Sequence, residues 1–468
     1  MKPRRADSCR VLELGCGDGL NLLAMAVALP GSQFTGIDLA EVPIARGVEM
    51  ARELNLSNVQ LHARDLLAAP DDLGEFDFII AHGLYSWVPE PVREKVLAVC
   101  ARNLASDGVA YVSYNAQPGN HFRELARGLM RFHTAGMAEA EEQIAQAKAI
   151  LKFMAAQAGP SSACNEAWKQ ELQRVERYPS AALFHDDLSP VNRAFYFHEF
   201  AAAAARHGLQ YLAEADATDM QTDGLPPDSV QLLERFGPDQ VIAREQYLDF
   251  FRARAFRQTL LCHHGATLDR SPAPERVFDL FVASTAKPTA AEFALHNEEA
   301  LEFRTANNAV IATQHPAIKA LLCRLGSAWP QRISFSELAA PFTEDNRPSL
   351  GRFLVAAHAI GVVELHTHPG AFTTAVSERP HASALARRQA AHGDKVPTLR
   401  HTVMQLEGSL SRELVKLCDG SRTHAQITTT LADHAGAAGG SRQAIEDRIS
   451  AELVSRLELL ARGALLQE

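Results

Sequence analysis

No stretch of this 468-residue chain is apolar long enough to cross a bilayer. The longest runs, such as Leu22 to Leu29, fall far short of the ~20 residues a spanning helix needs. The basic start, Met1 to Arg10, leads straight into Val11-Leu12-Glu13 without an apolar core segment, so it does not read as a signal peptide. Seven cysteines, at positions 9, 16, 100, 164, 262, 323 and 418, include no C-x-x-C pair. That spacing argues against a zinc site or a disulfide framework and for reduced thiols. Positive charge is also in short supply: 46 Lys and Arg stand against 56 Asp and Glu, a net charge of −10. Such a chain repels phosphate backbones at long range, which disfavours a general nucleic-acid binder. These absences predict a cytoplasmic protein with neither a membrane nor a nucleic acid as partner.

What is present is ordinary globular material, 47% hydrophobic and 22% charged, with enough length for about two to four domains. From residue 11 short apolar runs alternate with amphipathic segments. Val11–Leu14, Phe34–Asp38, Val59–Ala63, Phe76–Ala81 and Val109–Tyr114 read as strands. Their apolar residues fall on both faces, as in a parallel sheet covered by helices. Asn21–Leu29, Pro43–Leu54 and Pro91–Leu104 read as the intervening helices, with the two prolines in first turns where a missing N–H costs nothing. Repeated βα units predict a doubly wound sheet with a ligand crevice at the strand C-termini.

The first turn, Glu13-Leu14-Gly15-Cys16-Gly17-Asp18-Gly19, lets the backbone close on a ligand without Cβ atoms. A plain strand–helix turn is the bland alternative. Counting from Gly15, the sixth position is Leu20, so the dinucleotide fingerprint fails. Glu13 is unhelpful to a pyrophosphate but suits a cationic ligand, such as a sulfonium bearing an ammonium group. Asp38 ends the second strand, where a carboxylate can accept from both ribose hydroxyls. Asp65 closes the third, where an acceptor can meet an adenine amino group. Each acid alone also fits a helix N-cap or a solvated strand end; three at successive strand ends form one constellation.

With these residues in place, the chain resembles the class I S-adenosylmethionine-dependent methyltransferases over about residues 10–115. The resemblance implies that Glu13, Gly15, Cys16 and Gly17 cradle the methionine part of the donor. It implies that Asp38 and Leu39 hold the ribose, that Asp65 and Leu66 meet the adenine, and that His82 adjoins the donor. The product would be S-adenosylhomocysteine. Three further strings narrow the resemblance: His82-Gly83-Leu84-Tyr85-Ser86-Trp87-Val88-Pro89, Ser113-Tyr114-Asn115-Ala116-Gln117-Pro118-Gly119, and Glu245 to Leu261, which contains Tyr247-Leu248-Asp249-Phe250-Phe251 and Arg254-Ala255-Phe256-Arg257. Together they are similar to bacterial methyltransferases with a methyltransferase regulatory domain, including rickettsial protein-lysine methyltransferases of outer-membrane proteins. The implied partner is a protein substrate, of the surface or outer-membrane class. A catalytically weak donor-binding scaffold and a small-molecule methyltransferase are the alternatives. Only ten residues precede the first strand, fewer than in family members, so a lid over the donor is expected to be lacking or to lie upstream.

Methyl transfer is an in-line displacement that needs alignment, exclusion of water and a deprotonated nucleophile. Tyr85, Trp87, Tyr114 and Asn115 supply hydroxyl, carbonyl and aromatic groups at two adjacent strand ends, and His82 can relay a proton. Rim packing for Tyr85 and Trp87, and a structural role for His82, are the alternatives.

The expected fold class is α/β: a Rossmann-like class I methyltransferase sheet with a helical insertion, plus an α+β winged-helix-like C-terminal region. The domains are placed at 1–120 (donor-binding core), 121–180 (helical insertion, where a homodimer contact is admissible), 181–265 (regulatory segment completing the sheet), 275–375 and 398–468 (two winged-helix-like modules). Gly159-Pro160-Ser161-Ser162 is expected to break the insertion, and His185-Asp186-Asp187 with Asn192 to cap in solvent near the active-site mouth. Ser377–Pro397, polar and rich in Arg and His, is expected to be exposed. His263-His264 and His366-Thr367-His368 lack a third ligand at a recognisable spacing, so no metal is expected.

Overall fold

Strand β1 (Arg10–Leu14) is buried along nearly its whole length, because Leu12 and Leu14 are covered on one face and Val11 and Glu13 on the other. The computed structural model to which it belongs describes residues 3–70, 73–157, 163–271, 273–435 and 441–467. β1 is followed by α1 (Leu20–Ala28), β2 (Gln33–Asp38), α2 (Glu41–Glu53), β3 (Val59–Ala63), β4 (Phe76–Ala81), α3 (Glu90–Asn103) and β5 (Leu104–Asn115). These five strands are parallel to one another, and β6 (Leu209–Glu214) and β7 (Phe256–His263) complete a seven-stranded sheet of order β3-β2-β1-β4-β5-β7-β6. β7 runs antiparallel to both β5 and β6. The chain reverses direction across the sheet between β1 and β4, which opens the crevice beyond the C-terminal ends of those strands.

Between β5 and β6 lie α4 (His121–His133), α5 (Ala140–Gln157) and α6 (Ala163–Arg177), packed around Met130, Leu151, Trp168 and Val175. The expected break at Gly159-Pro160-Ser161-Ser162 falls outside the described residues. Asp187, expected to cap in solvent, is instead fully buried. It accepts from Arg123 Nε at 3.1 Å and from both terminal nitrogens of Arg174 at 3.0 and 3.1 Å, so it ties α4 and α6 together. Two cations supplied from helices distant in sequence are what make that burial tolerable.

The last strand is held by a fully buried guanidinium. Arg257 on β7 meets Glu214 of β6 at 2.5 Å and grips Asp249 through Nε and Nη2, both at 2.9 Å. Glu245 lies 3.4 Å away, and the ring of Phe197 is 3.9 Å beneath the guanidinium carbon. Asp249 and Glu245 belong to the helix Val241–Arg252, whose C-terminal cap, Ala253, has a left-handed backbone that turns the chain into β7. Arg254, four residues beyond Phe250, pairs with Asp249 at 2.7 Å.

In the C-terminal region the strands Phe281–Ala283, Ile333–Ser334 and Glu364–His366 form a small antiparallel sheet against the helices Pro316–Ala328, Phe335–Ala339 and Arg347–Ala359. A second unit holds the helices Gly408–Leu417, His424–Ala435 and Arg442–Arg462, the last capped by the Ser441 hydroxyl. The segment Ser377–Pro397 is not an exposed linker. It contains the helix Ala384–His392, with Leu385, Ala386 and Ala390 buried, and the short strand Lys395–Pro397. Its apolar side is built largely of alanines, which mean polarity conceals, while Arg387, Arg388 and His392 flank it. Among the described residues no helix is long and apolar enough to cross a membrane.

Removing the Arg257 charge leaves Glu214, Glu245 and Asp249 facing one another in the interior. Arg257→Met is expected to cost about 3–5 kcal/mol at pH 8. The stranded carboxyls would have folded-state pKa values above their unfolded ones, so protonation would favour the fold. The deficit should therefore shrink as pH falls from 8 to 5, as read from chemical denaturation midpoints of variant and parent.

Candidate active site

The turn after β1 is secured to the end of β2. The N–H groups of Gly15 and Cys16 both donate to the Ile37 carbonyl, at 2.8 and 3.2 Å. The Gly17 N–H donates to Asp38 Oδ2 at 2.8 Å, and the Ala40 N–H donates to Oδ1 at 2.8 Å. Gly15 and Gly17 have φ of +74° and +58°, a region where a side chain is strained. A Cβ on Gly15 would come within 3.0 Å of Leu84, so the segment after β4 sits against this turn; one on Gly17 would meet nothing within 4 Å. The turn is thus closed on one side and open on the other.

At its head, Glu13 is 5% exposed. Oε1 accepts from Asn21 Nδ2 at 3.1 Å, while the buried Oε2 has no partner. Burial raises the carboxyl pKa to about 7. An acid with an unclaimed oxygen, beside a glycine turn, fits the ammonium end of a donor that carries one. Cys16 is buried and its thiol is pushed up to about 12, chiefly by burial, so it acts as lining, not as a nucleophile. Leu39 is 71% exposed at the rim, next to Asp38. Asp65 is exposed and its Oδ1 accepts the Leu67 N–H at 2.9 Å; Leu66 is buried beside it. Asp65 therefore caps the short turn after β3, with its second oxygen uncommitted to that bond.

His82 stands at the end of β4 with an exposed edge. Its Nδ1 lies 3.1 Å from both the Tyr111 hydroxyl and Ser113 Oγ. Tyr111 donates to Gln258 Oε1 at 2.8 Å, and Gly83 N–H donates to Ser113 Oγ at 2.9 Å. With the Tyr111 proton spent on Gln258, His82 Nδ1 either donates to the Tyr111 oxygen or accepts from the Ser113 hydroxyl, and Nε2 faces outward. Desolvation lowers the His82 pKa, so the ring is neutral near pH 7. Phe256 meets it edge-on at 6.3 Å. Asn21, Tyr111, Ser113 and Gln258 were not picked out from sequence. Period-two alternation along β5 places Tyr111 and Ser113 on one face, a signal that could have found them.

Two of the expected acceptor-side residues lie elsewhere. Tyr114 is 1% exposed, stacks on Phe200 at 4.2 Å and places its hydroxyl 3.2 Å from Thr259 Oγ1. Tyr85 is buried against Tyr114, Phe195 and Phe200. Both rings fill the core between the sheet and the helix Phe197–Arg206, because Tyr114 alternates with Ser113 and so points to the opposite face. The structure thus assigns them to packing instead of the cleft. Asn115 is buried, donating to Asn192 Oδ1 at 2.8 Å, and Asn192 donates onward to the Asp186 carbonyl at 2.9 Å. Trp87 is half-buried, 5.9 Å from the ring of exposed His185. His366 and His368 diverge: the first pairs with Glu364, the second meets Arg332.

Three family models match the chain. They are described as methyltransferase domain over residues 11–108, predicted methyltransferase regulatory domain over 179–263, and PKMT, C-terminal winged helix domain over 378–465. Uncharacterized protein RP789 of Rickettsia prowazekii is 34% identical over 340 residues, covering 71% of this chain and 61% of that protein. Uncharacterized protein RP028 of the same organism is 31% identical over 213 residues, 45% of this chain and 85% of that protein. The chain thus spans less than two thirds of the first relative and most of the second. The structure of PKMT2 from Rickettsia typhi in complex with AdoHcy superposes with a TM-score of 0.87 at 25% identity, covering all of this chain and 95% of that one.

A carboxyl held near pKa 7 in the fold, against an unfolded value near 4.5, stabilises the protein while protonated and loses that contribution as pH rises from about 4.5 to 7. Glu13→Gln should consequently be more stable than the parent at pH 8, by up to about 3 kcal/mol. The two should converge near pH 4.5, as measured by urea denaturation across that range.

Proposed function

Because the chain belongs to the class I S-adenosylmethionine-dependent methyltransferases that carry a methyltransferase regulatory domain, we propose that it methylates lysine side chains of a protein substrate. The observation that carries the donor half of this reading is the buried Glu13 carboxylate with its unclaimed Oε2, beside a glycine turn pinned to Asp38. S-adenosylmethionine, when bound, supplies the methyl group. Glu13 would hold its ammonium end, the open side of Gly17 would admit the chain next to it, Asp38 the ribose, and Asp65 with Leu66 the adenine. Support for a protein lysine as acceptor comes from the PKMT-type winged helix match and the similarity to PKMT2. A surface or outer-membrane protein as acceptor extends this reading and rests on the family resemblance; a homodimer contact would use the helical insertion α4 to α6.

On the acceptor side the residues with accessible chemistry are His82 and Trp87. In the tautomer that donates Nδ1–H to Tyr111, the neutral imidazole presents Nε2 to take a proton from an incoming ammonium, directly or through water. The half-buried indole of Trp87 offers an aromatic face to a cation. Asn115 acts behind them, holding Asn192 and the chain after it in place.

Purified protein, tritiated donor and a lysate of its own host should yield labelled protein bands whose label is recovered as methyl-lysine. Label in nucleic acid or small molecules alone, or none, would overturn the proposal. Asp38→Ala should weaken donor binding about 10- to 100-fold by calorimetry, because it removes both the acceptor for the ribose and the anchor of the turn. His82→Ala should lower kcat by about 100-fold, a larger effect than it has on donor affinity. In the parent, kcat should rise with pH through an ionisation below the ordinary histidine value of about 6.5 and then level, an inflection the variant should lack.

A further inference from the structure

Outside the cleft, the junction between the two C-terminal units buries a guanidinium without a counter-ion. Arg332 is only 8% exposed, yet among the described residues no carboxylate lies within ion-pair distance of it, and its buried Nε has no hydrogen-bond partner. Its Nη1 sits 3.3 Å from both ring nitrogens of His368, which places it over the imidazole face, and 3.3 Å from the His368 carbonyl. The ring of Phe372 lies 5.6 Å from its guanidinium carbon. A second cation, Arg400, packs 3.9 Å over Trp329 and donates to the Pro330 carbonyl at 3.2 Å.

The nearby acids are already committed. Glu364 Oε2 takes Arg400 at 2.5 Å and His366 at 2.9 Å, and Asp7, from the N-terminal segment, is paired with Arg5 at 3.0 Å. His366, His368 and His401 are held below their ordinary pKa, first by desolvation and then by Arg332 among other charges. They are neutral at pH 7. At the junction two guanidiniums, Arg332 and Arg400, therefore face one carboxylate, Glu364, while Arg5 is offset by Asp7 and by the charge of Asp279. A guanidinium does not shed its proton in a protein, so Arg332 cannot escape the cost of burial by neutralising itself.

We propose that the Arg332–Arg400 junction, with His368 and His401 at its edge, is a binding site for phosphate, either free or as a phosphomonoester. The unclaimed donors of Arg332 match an oxyanion with several acceptors, Arg400 adds its charge nearby, and a doubly charged group compensates buried cation better than a carboxylate does. Exposed His401 and the partly exposed Glu364 mark the solvent side of the junction. The site lies in the C-terminal units and is independent of the methyl-transfer reading.

Inorganic phosphate and O-phosphoserine are titrated separately into the full-length chain at pH 7.5, with ionic strength held constant by sodium chloride. At least one should bind calorimetrically with one site per chain and raise the melting temperature saturably, by about 2 °C or more. The tighter of the two identifies the source. Arg332→Met, which keeps the volume and removes the charge, should melt no lower than the parent in chloride and lose at least tenfold in phosphate affinity. If that variant fails to fold, Arg400→Gln provides the same affinity readout. No saturable binding of either probe to the parent, or binding unchanged in the folded variant, overturns the proposal.

Discussion

Arg257 and its carboxylates are the constraint on which the sheet's far edge depends. A parallel five-stranded sheet is reached by repeated βα units, but β7 must enter antiparallel between β5 and β6, and nothing in its apolar pattern dictates that order. Arg257 supplies the missing specification: it draws Glu214 from β6 and Asp249 from the preceding helix onto one guanidinium, so only one placement of β7 satisfies all three. The desolvation of four charged side chains opposes folding, and removing one partner is far worse than never having the cluster. Such a cluster favours a unique arrangement more than it favours stability. It reaches the site because Gln258, the next residue, takes the Tyr111 proton and through it orients His82.

Much of the donor half was legible because its signals are local. The strands β1 to β5 are short apolar runs, and their observed bounds lie within a few residues of those expected, apart from an earlier start to β5. The turn and the acids at three strand ends are likewise contiguous features whose relative position follows from the topology alone. The acceptor side was less legible. Tyr114 stands at a strand end, but a strand end has two faces, and alternation sends Tyr114 into the core while Ser113 and Tyr111 face His82. The ion cluster could not be read at all as a cluster: Glu214, Glu245, Asp249 and Arg257 are spread over the chain and look like surface charges until the fold brings them together. In the same way Asp187 resembled a cap until two arginines from other helices closed on it.

The C-terminal region bears on the donor site through packing. Leu385 and Leu399 join the same hydrophobic cluster as Leu22, Leu23, Phe34 and Met50, and Arg388 pairs with Glu53 of α2 at 2.5 Å. Leu22 and Leu23 belong to α1, the helix that begins as the glycine turn ends. The chain from Gly17 to Gly19 has only the Asp18 side chain, so its geometry depends on what holds its two ends: Ile37 and Asp38 at the β2 side, and the seat of α1 on the other. A unit that contributes core residues beneath α1 is therefore part of the scaffold of the turn. This explains why the segment around residues 377–397, expected from its composition to be exposed, is folded: a flexible connection could not hold Leu385 against α1 while Arg388 stays on Glu53.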